Sequence, residues 1–438
     1  MTKTPRIITS TALLISSAIA LSACSAPTAS APSSESAATT SNPSASPEIT
    51  EASALSPRLA LTYDGGVMTV DGRTMKLINT VEKEGFLRLN PAGDNRHLAV
   101  ADGKSYQMMD LGTWEQPHDD HSHMYTTEPT LSQLTFTADH TGHVINEQGK
   151  TAMFADGTGT FEVYDPDQLT AENKLTASKI DTKKVTLAKP HHGFAIPLKD
   201  NKYMVAVGDE DTRTGAAIVD EQGHVLQENN QCPGVHGEAQ AAQDVITVGC
   251  EDGALIYKEG KFTKIFNPED SYSRSGNQAG SEKSEVVLAD YKTDKDAELE
   301  RPEQFSLINT TTEKRQKVQL PKGVSYSFRS LARGPEGEAL LLTTDGKLRY
   351  FDQNTGAELG SLNLMKPWTE SETWQDPRPA LWVDGNTAYV TDPSTQRVMA
   401  VSLAGIQHGK AEKFAELKLP HVPNEINGVS GKAVKNHS

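Results

Sequence analysis

Apolar residues along this chain fall into short runs, each broken by a tight turn and then resumed. Examples are LALTYDGGVMTV beginning near residue 60, RHLAVADGKSYQMMD at 96–110, KTAMFADGTGTFEVYD at 150–165 and KYMVAVGDEDTRTGAAIVD at 202–220. DVITVGCEDGALIYK at 244–258, EALLLTTDGKLRYFD at 338–352 and NTAYVTDPSTQRVMAVS at 386–402 repeat the pattern. Each reads as two β-strands joined by an Asp-Gly or equivalent turn, because Asp and Gly accept the backbone conformations a tight hairpin demands. Successive copies mostly lie roughly 40 to 55 residues apart, the length of one four-stranded propeller blade. Helical periodicity is nearly absent, with short pieces such as 165–174 long enough for a turn or two. The pattern predicts an all-β fold, a single β-propeller over residues 58–438. Seven units are clear and one more is expected to be closed by strands from both ends of the chain, so seven or eight blades fit and eight is favoured. An array of β-sandwiches is the rival, disfavoured because the strand pairs run on without long crossovers.

The N-terminus departs from this pattern. Lys3 and Arg6 precede an apolar run from about Ile7 to Leu21, followed by Leu21-Ser22-Ala23-Cys24. The run is shorter than the ~20 residues a membrane-spanning helix needs, and small residues before a cysteine resemble a bacterial lipobox. Residues 1–23 are therefore expected to be a lipoprotein signal peptide, with Cys24 the lipidated first residue of the mature chain; an ordinary cleaved signal peptide is the alternative. Residues 24–57 are almost wholly Ser, Ala, Thr, Pro and Glu, a composition that reads as a disordered tether. Acidic residues number 58 against 42 basic ones, a formal charge of −16, which argues against nucleic acid and anionic lipid as partners and favours cations. The membrane is expected to hold the protein through the lipid alone, with the body outside the cytoplasm and monomeric. Cys232 and Cys250 read as a disulfide, since an exported protein meets an oxidising compartment and no CxxC spacing is present.

The 13 histidines are clustered. His118, Asp119, Asp120, His121 and His123 fall in one polar stretch, read as an extended loop in which three imidazoles and two carboxylates can wrap a borderline-soft cation. His143, His192 and His236 precede the turns of three consecutive units by 13, 16 and 16 residues, counted to Asp156, Gly208 and Asp252. In a propeller that position lies where each innermost strand begins, so the three rings would meet at one mouth of the central channel. Three imidazoles are a common zinc shell, completed by a carboxylate or water. Glu238 could be the fourth ligand or could orient an imidazole. His191 could replace His192, because adjacent strand residues face opposite ways. His97, His140, His224, His408, His421 and His437 lack this register and are expected at the surface. The disulfide would brace the His236 segment.

In these residues the sequence resembles the AztD-type periplasmic zinc metallochaperones. The likeness is carried by the His/Asp-rich stretch 117–123, GHV at 142–144 followed by TAMFADGTG, PHHG at 190–193, and CPGVHGEA at 232–239 with VGCEDG at 248–253. It implies a propeller that binds Zn2+ and hands it to the zinc-specific solute-binding protein of an ABC importer, with the His-rich loop as the transfer element. The lipobox and long tether depart from the periplasmic members. Other classes compatible with the sequence are a metal-dependent propeller enzyme of lactonase-like or quinoprotein-like type and a plain interaction scaffold; no HExxH, GxSxG, P-loop or CxxC motif is present to favour catalysis.

Overall fold

A computed structural model describes residues 47–266 and 272–434. The signal peptide, Cys24 and most of the expected tether, as well as His437, lie outside these residues. Among them are eight four-stranded antiparallel sheets and one three-stranded sheet. The described residues from Pro47 onward form one compact unit. No helix among the described residues is long and apolar enough to cross a membrane.

Each four-stranded sheet is a blade of a β-propeller. Blade 1 is closed as the pattern predicts, by the C-terminal strand Ile426–Val429 pairing with Arg58–Tyr63, so the ring is fastened by both ends of the body. That closed blade is, however, the first of the seven units visible in the sequence. The eighth is blade 6, built from Gln278–Ala279, Val286–Asp290, Gln304–Asn309 and Lys314–Gln319. It fills the long interval between the units at 244–258 and 338–352. Its central strands are joined through residues 291–303, which contain no Asp-Gly turn, so the hairpin signal is missing there.

Central strands read as continuous apolar runs because both of their faces are covered by neighbouring blades. Along His97–Ala101, Leu98 and Val100 pack toward blade 1 while Ala99 and Ala101 pack toward blade 3. Eight apolar clusters result, one at each blade interface, and together they close the ring.

Two expectations are corrected. The tether does not extend to residue 57: Thr50–Ala52 is a strand paired with His121–Thr126, and Ser56 is buried. His97 is not a surface residue. It is wholly buried, with Nδ1 2.5 Å from Asp94 Oδ2 and Nε2 2.8 Å from Thr176 Oγ1. Beside it Arg96 makes a two-pronged ion pair with Asp110, at 2.9 and 2.6 Å. His140, His224, His408 and His421 are exposed as expected.

Candidate metal centre

His143, His192 and His236 come together on one rim of the channel. Blade 3 begins with the innermost strand Thr141–Glu147, whose register slips between Thr141 and Val144, so His143 sits at a bulge. A bulge re-aims a side chain that a regular strand would point elsewhere. Gly142 is required beside it, since a Cβ there would collide with the Asp156 carboxylate. His192 lies in the connection to Ala195–Leu198 of blade 4, and His236 in the connection to Glu238–Ala241 of blade 5. The backbone of His236 is fixed by its N–H donating to Gly249 O at 3.0 Å, and Gly237 adopts a φ of 76°, which favours glycine. Cys232 and Cys250 form a disulfide across the same connection. Replacing both cysteines by alanine should cost about 3 kcal/mol of stability, the chain-entropy value for a loop of this size. Unfolding midpoints in denaturant would read this directly, and an unchanged midpoint would contradict it.

The ring centroids of the three histidines are 5.2 to 5.5 Å apart, and the potential ligand nitrogens lie within 4.8 Å of one another. Each Nδ1 is already engaged: His143 with Glu238 Oε1 at 3.0 Å, His192 with Asp156 Oδ2 at 2.6 Å, His236 with Gly276 O at 2.7 Å. Those acceptors fix Nδ1 as the protonated nitrogen, leaving the three Nε2 lone pairs for a cation. This is how carboxylates and carbonyls orient histidine ligands in metal sites. Glu238 therefore serves as the partner of an imidazole, and its second oxygen, Oε2, is buried without a hydrogen bond. Burial opposes charging of His143, but the carboxylates of Glu238 and Asp156 outweigh it and raise its pKa. Burial, reinforced by His143 nearby, pushes His236 well below the ordinary imidazole value and keeps it neutral. A neutral imidazole is the form that ligates metal.

His191 is not available as the replacement for His192 that the sequence allowed. It is buried, with Nδ1 3.0 Å from Lys189 O and Nε2 3.0 Å from Ala206 O. Both ring nitrogens are thus bound to backbone carbonyls. Asp156 escapes a sequence reading because an Asp before Gly reads first as a turn residue.

The His-rich stretch is a β-hairpin rather than an extended loop. Thr113–His118 pairs with His121–Thr126, turning at Asp119 and Asp120. His118 lies opposite His121, and His123 is two residues further along, so strand alternation puts all three rings on one face. Their ligand nitrogens also lie within 4.8 Å of one another, with His121 Nε2 3.2 Å from His123 Nε2. Asp119 and Asp120 point outward, 3.7 Å from His118 Nδ1 and 3.2 Å from His121 Nδ1. Trp114 at the hairpin's base stacks on Tyr125 and carries Arg96 over its ring at 3.8 Å.

The two clusters occupy opposite rims. In blade 2 the strands Arg88–Pro91, His97–Ala101 and Ser105–Asp110 alternate in direction, so the hairpin leaves after Asp110 at the rim where Pro91 ends. Asn146 Nδ2 donates to Pro91 O at 3.0 Å, which places the end of Thr141–Glu147 at that same rim. His143 is near the strand's other end.

Eight blades and three convergent imidazoles at a channel mouth define this protein as a β-propeller with a three-histidine site suited to a divalent metal. It is similar to the zinc chaperone AztD of Citrobacter koseri, with 27% identity over 328 residues, 72% of this chain and 71% of that protein. The structure of apo AztD from Citrobacter koseri superimposes with a TM-score of 0.71 at 22% identity, covering 86% of this chain and 98% of that one. A second AztD crystal structure from the same organism gives 0.69 at 23% identity, with the same coverage. No established sequence family matches the chain.

Proposed function

We propose that this protein is a zinc metallochaperone. It holds Zn2+ between His143, His192 and His236 and delivers it to the solute-binding protein of a zinc ABC importer. The observation that carries the reading is that all three Nδ1 atoms are engaged while their Nε2 atoms remain free. Imidazole suits copper and nickel as well, so the choice of zinc leans on the likeness to a zinc chaperone. A water or a ligand from the partner completes the shell, since Glu238 is committed to His143 Nδ1 on the other side of that ring from the ion. The His192 side chain is 42% exposed, so a partner's ligand can approach the ion from solvent. An open position of this kind suits a carrier that must release its cargo.

In this reading the chain is exported and held at the membrane through Cys24. His118, His121 and His123, with Asp119 and Asp120 outside them, form a second and more exposed zinc site. Because the hairpin stands on the opposite rim, it does not relay the ion of the channel mouth within one molecule. It takes up and passes on its own.

Loaded protein should transfer zinc to a metal-free solute-binding protein even when a strong chelator is present to trap free ion. Deleting residues 117–123 should leave the rate of delivery from the channel mouth unchanged and remove one ion from the total. Capture of all the zinc by the chelator would end the metallochaperone reading. Slowed delivery from a still-filled channel mouth would show that the hairpin acts as its relay after all.

A further inference from the structure

Strand Thr50–Ala52 adds a third member to the hairpin sheet, pairing Thr50, Glu51 and Ala52 with Thr126, Tyr125 and Met124. Its flanks are stitched down as well, by Thr127 Oγ1 donating to Glu48 O and Thr113 Oγ1 to Ser56 O, both at 3.0 Å. Tyr125, His123 and His121 share one face of their strand, and Glu51, directly opposite Tyr125, projects from that face too. Its Oε1 lies 2.8 Å from His123 Nδ1. The contact repeats what Glu238 and Asp156 do at the channel mouth: a carboxylate takes Nδ1 and turns Nε2 toward the cluster. Here the carboxylate comes from a segment 72 residues earlier, immediately after the Ser/Ala-rich stretch.

We propose that Glu51 is a positioning residue of the hairpin site, so that zinc binding by His118, His121 and His123 and pairing of strand 50–52 stabilise each other. The proposal rests on the reading of the hairpin as a zinc site. If the strand holds His123 in its binding orientation, the bound ion must favour the paired strand by the same factor, because coupling between two equilibria is reciprocal. The zinc load of the hairpin would then be felt by the segment that leads to the N-terminus. His121 and His118 find their own carboxylates within the turn, at Asp120 and Asp119. His123 depends on the N-terminal strand for its carboxylate.

The test uses the full chain carrying alanine at His143, His192 and His236, so that the hairpin site is read alone. Titration with zinc should show affinity falling roughly tenfold or more in Glu51→Ala, the usual cost of losing a carboxylate that orients a histidine ligand. Glu51→Gln keeps an acceptor oxygen at the same reach and should recover most of the loss, which a merely structural role for the strand would not predict. Hydrogen exchange at residues 50–52 should slow when zinc is added to the background protein, and should not respond in the same protein with His123→Ala. Equal affinity in the Glu51→Ala variant, or exchange at 50–52 indifferent to zinc, would overturn the role of Glu51 while leaving the hairpin site standing. A background protein that takes up no zinc would remove the hairpin reading itself, and this proposal with it.

Discussion

Alanine at His143, His192 and His236 together should abolish the tightest zinc site without unfolding the protein. The three rings sit on the rim, outside the eight apolar clusters that hold the blades together, so their loss removes ligands rather than core. Graded effects should follow in the residues behind them. Asp156→Ala and Glu238→Ala each leave the ligands in place but remove what orients them, and each should cost about 10- to 100-fold in affinity. Competition against a chelator of known affinity measures the series, and circular dichroism checks the fold. Zinc affinity and stoichiometry unchanged in the triple variant would exclude these histidines as the site.

The second large effect is expected far from that rim. Asp110 is buried, accepts two hydrogen bonds from the equally buried Arg96, and accepts a third from the Gly112 N–H at 2.7 Å. Arg96 also lies under Trp114, at the base of the hairpin. Asp110→Ala leaves a guanidinium in the interior without its counter-charge, a loss that typically costs about 3–5 kcal/mol. The same change should loosen the hairpin and weaken its zinc binding, while the channel-mouth site keeps its affinity. Denaturant unfolding and zinc titration of the one variant separate these outcomes. A stability loss below about 1 kcal/mol would mean that water or another group replaces the carboxylate, and the ion pair would not be what anchors the hairpin.

Much of this architecture is visible in the amino-acid order, because a propeller repeats one local rule. Strands buried on both faces must be apolar throughout, and the turns between them need residues that accept unusual backbone angles; both leave marks in sequence. Blade 6 lacks the second mark and so escapes the pattern. The register of His143, His192 and His236 is legible because the repeat converts position in sequence into position on a rim. What the repeat does not encode is the set of partners brought in from other strands. Asp156 looks like part of a turn, and the Gly276 carbonyl has no side chain to notice. Glu51 lies in a stretch whose composition suggests a tether: between residues 46 and 57 it is joined only by Glu48, Ile49 and Leu55 in departing from Ser, Ala, Thr and Pro. His97 reads as a surface residue because a buried imidazole needs Asp94, Thr176 and the Arg96–Asp110 pair around it. That surrounding is assembled from two blades and is invisible to a local reading.

The placement of the two histidine clusters also changes the expected division of labour. Both are rich in imidazole, and the resemblance to the zinc metallochaperones implies that the His-rich stretch is the transfer element. Strand direction in blades 2 and 3 instead sets them on opposite rims, so that in the proposed function each would meet its own partner or its own source of ion.

The most direct test of the central claim is anomalous diffraction at the zinc edge from crystals of the protein loaded with one equivalent of zinc. A single strong peak is expected, coordinated by Nε2 of His143, His192 and His236, with Asp156, Glu238 and the Gly276 carbonyl still on the three Nδ1 atoms. A peak at the hairpin or elsewhere, with these three rings left empty, would contradict it.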